Sequence, residues 1–501
     1  MATIYNDYSR DRIGWFFGLS GWQAGILAVA LLPPCWSISK GAWVSVGLFI
    51  LLWGVLFVIT VTPVRGRSAI GWLGALTASS VGVITGWSRF RSKAVTGKIE
   101  NLDDADLPGV LQAIQIHDGP PQGHSQSRVA VIQDHATRTW AVTASVVHPG
   151  IGLKEAGERF QQGVGLSELL DTAMRTELIE EVIFVVRTVP DDGAERDLYV
   201  QRHRRNSPEL ARVINDELQA GLSAAGVRTE AFCTIVVAES RLKNEAKETG
   251  GGLDGRCRVL YGLMAEIESQ LRGGMAMTSV GWLTSPELAL ACRTGFAPGD
   301  RASIVDALAA REHDGDVNAD VPWAMAGPSG ADAAMRHYSH DAWNSVSSTV
   351  KLPVKGAVMG ALAPVITPGE AGERRSFMVC FPIVRESKAN RQQGNSEWAA
   401  DVGDALRAKA KVKARARQRN EAARVRGLDA KLARGNALIR AYAVCTVTVP
   451  KTARISEYGR RLDASVRRAG FAPLRLDVAQ DAAFAASTVP LGISLSRRGG
   501  A

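Results

Sequence analysis

The chain has 501 residues, 46% apolar and 22% charged, which is enough to bury more than one core and excludes disorder as its main state. Its six cysteines (Cys35, Cys233, Cys257, Cys292, Cys380, Cys445) form no CxxC pair, which excludes a disulfide scaffold or zinc module and fits a reducing compartment. Fifty-nine Lys and Arg against 50 Asp and Glu leave a formal charge of +9, too modest at this length to imply nucleic acid by itself.

From Ile13 to Val64 only Lys40 is charged, and Pro33-Pro34 with Ser39-Lys40-Gly41 divide this stretch into two apolar arms. Gly21 to Ser39 and Gly41 to Thr62 would reach about 28 and 33 Å as helices, against a hydrocarbon core of about 30 Å. The pattern predicts a two-helix transmembrane hairpin, with tryptophans such as Trp22, Trp36 and Trp43 near the arm ends. A cleaved signal peptide is disfavoured, because its apolar region would be shorter and unpaired. Arg10 and Arg12 precede the first arm and Arg65 and Arg67 follow the second, so both termini are expected on the cytoplasmic side. Ser68 to Ser88 is uncharged but carries four glycines and six Ser or Thr, a poor third span. With Arg89, Arg91 and Lys93 behind it, the segment reads as an interfacial helix facing anionic headgroups, and the first unit as residues 1–98.

The rest predicts an α+β fold. Arg128 to Asp134 and Thr139 to Val147 are β-branched runs across a short polar turn, the pattern of an antiparallel hairpin. Leu178 to Val189 is a third strand, closed by Pro190-Asp191-Asp192-Gly193. Ser207-Pro208 opens a helix with Leu210, Val213, Ile214, Leu218 and Leu222 on one face, stopped at Gly226. Strand Val227 to Val237, helix Gly255 to Leu271 and strand Ala276 to Leu283 complete a first cytosolic domain, 99–311. His313 to Asp332, rich in Asp, Gly, Pro and Ala, predicts a linker (312–335) before a second domain, 336–501.

That second domain repeats the first. Val227 to Val237 aligns without gaps on Ile439 to Val449, with five identities in eleven, and each copy is followed by a helix and a further strand. In the second copy the helix carries Ile455, Tyr458, Leu462 and Val466 on one face and leads into Phe471 to Leu476. The spacing predicts two related strand and helix units, with Cys233 and Cys445 at one shared, buried strand position.

Inserted in the second unit is a basic helical arm, 397–434. From Arg407 to Arg434 eleven basic residues face only Glu421 and Asp429, an excess of nine that equals the whole chain's. Arg407, Lys409, Lys411, Lys413, Arg415, Arg417 and Arg419 alternate mostly with Ala and Val, so on a helix they spread round the axis. Such an arm reads either as a solvated helix or as a docking element for an acidic protein face or an anionic lipid surface. DNA contact through it would be through phosphates and non-specific, and no aromatic residues offer a stacking platform.

No catalytic or cofactor-binding constellation is expected. Gly97-Lys98 is followed by Ile99 and lacks the Walker spacing, and Gly250-Gly251-Gly252 reads as a flexible loop. His337, His340 and Asp341 match no HExxH or finger spacing and read as an exposed loop or strand start. His117-Asp118 and Asp134-His135 read as surface polar groups, and GxSxG is missing.

The apolar hairpin, Arg-Thr-Val-Pro-Asp-Asp-Gly at 187–193, Arg-Thr-Gly-Phe-Ala-Pro at 293–298, and Gln-Asp-Ala-Ala-Phe at 480–484 with Pro-Leu-Gly at 490–492 together carry a resemblance over nearly the whole chain. It resembles actinobacterial conjugative-transfer membrane proteins, in which the hairpin subunit of a type IV secretion inner membrane is fused to the non-catalytic N-terminal part of the secretion ATPase. In such ATPases a similar glutamine-to-proline stretch leads into the nucleotide-binding domain, whereas this sequence stops nine residues after Gly492. The resemblance therefore implies a non-enzymatic, multi-pass scaffold of the inner (cytoplasmic) membrane, without cofactor or metal. Its implied partners are a separate secretion ATPase and other inner-membrane secretion subunits, in a homo- or hetero-oligomer. Ala297, where an acidic residue is common, and Leu352-Pro353, where Trp-Pro is expected, depart from the family pattern. The alternatives are a type VII secretion membrane component and a membrane-tethered DNA-binding protein.

Overall fold

The computed structural model describes residues 4–5, 21–61, 63–64, 67–86, 88–123, 126–152, 154–190, 193–203, 205–225, 227–351, 357–370, 372–384, 437–439 and 441–497. Two compact units divide them: one holds the helices between residues 21 and 85, the other Ile4–Tyr5 and the described residues from Ser88 onward.

The smaller unit is built from α1 (Gly21–Val29), α2 (Leu32–Ser39), α3 (Trp43–Val61) and α4 (Ala69–Thr85). The first predicted arm is thus two helices with a turn at Ala30-Leu31, and Pro33 and Pro34 occupy the first turn of α2, where a missing N–H costs nothing. Gly41, at φ +67°, turns the chain into α3. Trp53 then donates its indole N–H to the Leu27 carbonyl (3.0 Å), holding α3 against α1. Trp43–Thr60 is the one described helix long and apolar enough to cross a membrane, and it is hardly buried, with Val44 90% exposed. The glycine-containing stretch 69–85 is helical despite its composition.

The larger unit is a mixed α+β body around one fourteen-stranded sheet in which every pairing is antiparallel. Its strands are β1 (Arg89–Arg91), β2 (Ile114–Gln122), β3 (Ser127–Asp134), β4 (Thr139–Val147), β5 (Ile179–Pro190), β6 (Val227–Ala238) and β7 (Ser279–Trp282). They continue with β8 (Gly330–Ala333), β9 (Tyr338–His340), β10 (Trp343–Lys351), β11 (Arg374–Val384), β12 (Leu438–Ile439), β13 (Tyr442–Pro450) and β14 (Ala472–Arg475). The order across the sheet is β1-β8-β9-β10-β13-β11-β5-β6-β4-β3-β2, with β7 on β4, β12 on β11 and β14 on β10.

This order repeats about the β11–β5 seam. Outward on one side lie β5, β6, β4 and, on β4, β7; outward on the other lie β11, β13, β10 and, on β10, β14. The aligned strands β6 and β13 occupy matching places, and their alternation agrees. Cys233, Ile235 and Val237 face one side of the sheet, as do Cys445, Val447 and Val449. At the middle of the seam Val185 pairs with Met378.

The described helices of this unit lie on and around the sheet. In chain order these are α5 (Lys93–Thr96), α6 (Ala156–Arg175), α7 (Ala194–His203), α8 (Glu209–Ala225), α9 (Glu239–Glu248) and α10 (Gly252–Gly273). There follow α11 (Ser285–Phe296), α12 (Arg301–His313), α13 (Trp323–Ala326), α14 (Ala363–Ile366), α15 (Ile455–Arg468) and α16 (Gln480–Thr488). Cys257, Leu260, Met264, Ile267 and Leu271, at helical spacing on α10, pack with Leu169 of α6 over β4 and β6. Leu462 and Val466 of α15 pack with Val365 of α14 over β10, β11 and β13. The opposite face is shared: α11, α13, α16 and the C-terminal residues Val489, Leu491, Ile493 and Leu495 form one continuous core on both halves.

Three boundaries differ from expectation. The predicted linker 312–335 separates no domains, because it contains α13, with Trp323 buried and its indole on Ser285 (2.8 Å), and β8 within the common sheet. Domains 99–311 and 336–501 therefore share one sheet. Arg89–Arg91, expected in the first unit, form the edge strand β1.

Candidate functional site

Parts of three segments quoted above, at 187–190, 294–296 and 480–492, meet inside the seam. Helix α11 begins at a capping box, Thr284 with Glu287, and ends at Phe296, leaving its last carbonyls to be satisfied from elsewhere. Arg374, fully buried at the start of β11, donates to the Thr294 carbonyl (2.7 Å) and the Gly295 carbonyl (2.5 Å). His340 of β9 donates Nδ1–H to the Phe296 carbonyl (2.7 Å). A cation at a helix C-terminus also meets the negative end of the helix dipole.

Arg187 of β5 is the second buried cation. It donates to the Ala291 carbonyl of α11 (2.8 Å) and the Thr488 carbonyl of α16 (3.1 Å), and pairs with Glu230 of β6 (2.5 Å). Each side of the seam thus sends an arginine to a helix of the other half. At Gly295 a Cβ would lie 3.0 Å from Arg187 Nη1, so a larger residue there would press on the buried guanidinium. Burial alone would raise the Glu230 pKa, but Arg187 and Arg228 bring it down to about 2. Burial, then Arg187, lowers Arg374 to about 9, leaving it a cation at neutral pH. Burial and the nearby Arg374 hold His340 at about 3, so it stays neutral, with Nε2 accepting from Ser345 (2.8 Å).

The final motif closes the same interior. Gln480 bridges both backbone groups of Ser347, accepting from its N–H (2.7 Å) and donating to its carbonyl (3.2 Å). Ser487, Thr446 and Ser347 form a hydroxyl chain with steps of 2.6 and 2.7 Å. Across the seam Thr143 and Thr234 pair likewise (2.9 Å), with Thr143 donating to the Pro490 carbonyl. Gly492, at φ +71°, lies where a Cβ would come within 3.1 Å of Ala141. Ser494 and Arg497 then bind the buried Glu181, each at 2.9 Å. These contacts hold strand to helix and join the two halves, leaving Arg374 Nε buried without a partner.

Two surface recesses among the described residues bear on the sequence reading. The Gly250-Gly251-Gly252 loop opens onto α10 and lines a recess of about 280 Å³, but the one cation there, Arg258, donates to the loop's own Thr249 carbonyl (3.1 Å). A groove of about 540 Å³ runs beside Arg293, which is already engaged by Asp300, Asp341 and the Gly327 carbonyl. Among the described residues no group of three or more His, Cys, Asp or Glu could hold a metal ion.

The predicted docking residues Arg407, Lys409, Lys411, Lys413, Arg415, Arg417 and Arg419 lie outside the described residues, as do Arg65, the whole arm 397–434 and Leu352-Pro353. Arg67 pairs by backbone with Val64. Arg89, Arg91 and Lys93 are exposed, and Arg89 lies 4.0 Å from Asp332. Of the titratable pairs read as surface groups, His117 is bonded to Gln133 and stacked on Trp140, while Asp134 is buried and caps Ala136 and Thr137. His340, read as exposed, is wholly buried; a strand start was the correct half of that expectation. Arg374, Glu230 and Glu181 were not singled out. For Arg374 the Glu373-Arg374-Arg375 triplet heading an apolar strand is the one local signal, and it reads equally well as a solvated strand end. The chain matches no protein-family model and no curated protein.

Proposed function

We propose that this chain is a non-catalytic inner-membrane scaffold of a conjugative, type IV secretion machine, held by a helical hairpin and docking a separate secretion ATPase. The observation that supports this reading is the convergence of parts of three resemblance motifs, 187–190, 294–296 and 480–492, on one buried seam. Residues that define the interior of a fold are those that relatives sharing it must keep. The anchor is supported by α3, whose exposed Val44, Leu48, Leu51 and Leu52 suit lipid rather than water. In this reading α1 and α2 supply the second crossing and both termini stay cytoplasmic, with Arg89, Arg91 and Lys93 near anionic headgroups.

The test is genetic and biochemical. Removing the gene is expected to abolish transfer of the conjugative element, and the chain should resist alkaline extraction from membranes and co-purify with a P-loop ATPase. Changing Lys409, Lys411, Lys413, Arg415 and Arg417 to glutamine should weaken that association more at low salt than at high salt. Normal transfer without the gene would refute the reading.

A further inference from the structure

Helix α8 inverts the usual relation between an amphipathic helix and its protein. Leu210, Val213, Ile214 and Leu218 fall within an arc of about 140° at 100° per residue, the stripe that ordinarily faces a core. Here they are 71, 47, 54 and 58% exposed, and among the described elements none packs along the helix. A 17-residue helix gains little stability by itself in water, so such a stripe marks an association surface.

Charge selects among occupants. Glu217 falls inside the apolar arc, and with Glu209 and Asp216 against Arg212 the helix carries 1 − 3 = −2. A helix that lies on an anionic leaflet needs Lys and Arg on its polar side and no carboxylate in its buried one. A second copy would bring no cation to Glu217, because Arg212 falls on the opposite side of the helix, at about 200° on the same scale. A groove on another protein, with apolar pockets and a Lys or Arg between them, satisfies both features.

We infer that α8 is the docking helix for a different protein, one that presents an apolar, helix-wide groove with a basic residue opposite Glu217. The inference does not depend on the secretion reading. The test places a photo-crosslinking benzoylphenylalanine at Val213 in the full chain, expressed in its own cells. The expected product is an adduct with one other protein, its cross-linked peptide holding a Lys or Arg among apolar residues. Glu217→Lys should reduce its yield about tenfold, and changing the partner's cation to Glu should restore it. Leu210→Ser with Ile214→Ser should remove the adduct while the thermal transition of the purified chain stays in place, because Leu210 and Ile214 are exposed and belong to no core cluster among the described residues. An adduct of twice the chain's mass, an adduct of lipid mass, a yield indifferent to Glu217→Lys, or no adduct at all would each overturn the inference.

Discussion

The seam and helix α8 are opposites within one unit. In the seam, arginines that would normally face water are buried, and carbonyls and one carboxylate meet them. On α8, leucines and isoleucine that would normally be buried face water. Burying a guanidinium costs several kcal/mol unless its donors are matched; Arg187 and the two terminal nitrogens of Arg374 are matched, whereas Arg374 Nε is not, so the seam uses polar groups to specify how two halves join. An exposed apolar stripe does nothing for the fold that carries it. The contrast separates residues that make this structure from residues that use it.

The largest effect that would sharpen the contrast is at Arg187. Arg187→Ala leaves Glu230 with only the half-exposed Arg228 and removes the donor to the Ala291 and Thr488 carbonyls, so unfolding in urea should show a loss of about 3–5 kcal/mol. A loss below about 1 kcal/mol would show the seam to be ordinary packing.

Acid should act next. His340 has a folded pKa of about 3, below its unfolded value near 6.5, so unfolding takes up a proton between those values. Stability should therefore fall by about 1.4 kcal/mol for each pH unit below about 6.5, more steeply below about 4.5, where the depressed Glu230 begins to lose its contribution as well. His340→Gln should flatten the upper range of that slope relative to the parent chain; an unchanged slope would remove His340 from the account.

A smaller effect is expected at Gly492, where Ala meets both the positive φ and the close Ala141 methyl. Thermal unfolding of Gly492→Ala should show a loss of about 1–2 kcal/mol. The smallest belongs to α8: Ile214→Ser should change unfolding free energy by no more than about 0.5 kcal/mol while improving solubility. A loss above about 2 kcal/mol there would mean that α8 is packed, and the contrast would fail.

Strands with continuous β-branched runs were legible from sequence. Thr139–Val147 has its predicted bounds, and Val227–Ala238 and Ile455–Arg468 lie within a residue or two of theirs, because period and turn residues agree locally. The match between Val227 to Val237 and Ile439 to Val449 also pointed to the repeated order, and hydroxyl pairs at Thr234 and Thr446 realise it. What stayed illegible depends on distant partners. The Gly- and Asp-rich stretch before Tyr338 is ordered by Trp323 reaching Ser285 and by β8 pairing with β1, contacts no local pattern encodes. His340 and Arg374 are polar residues whose burial follows from carbonyls at the end of a helix some 45 to 80 residues earlier in the chain.

Hydrogen exchange under native conditions tests most directly whether the β5–β11 seam makes one body of the two halves. Amides of β6 and β13, which flank it on either side, should open with the same free energy, and Met378→Ala at its centre should lower both equally. Distinct opening energies, with Met378→Ala lowering one half alone, would contradict a single body and return the molecule to two separate domains.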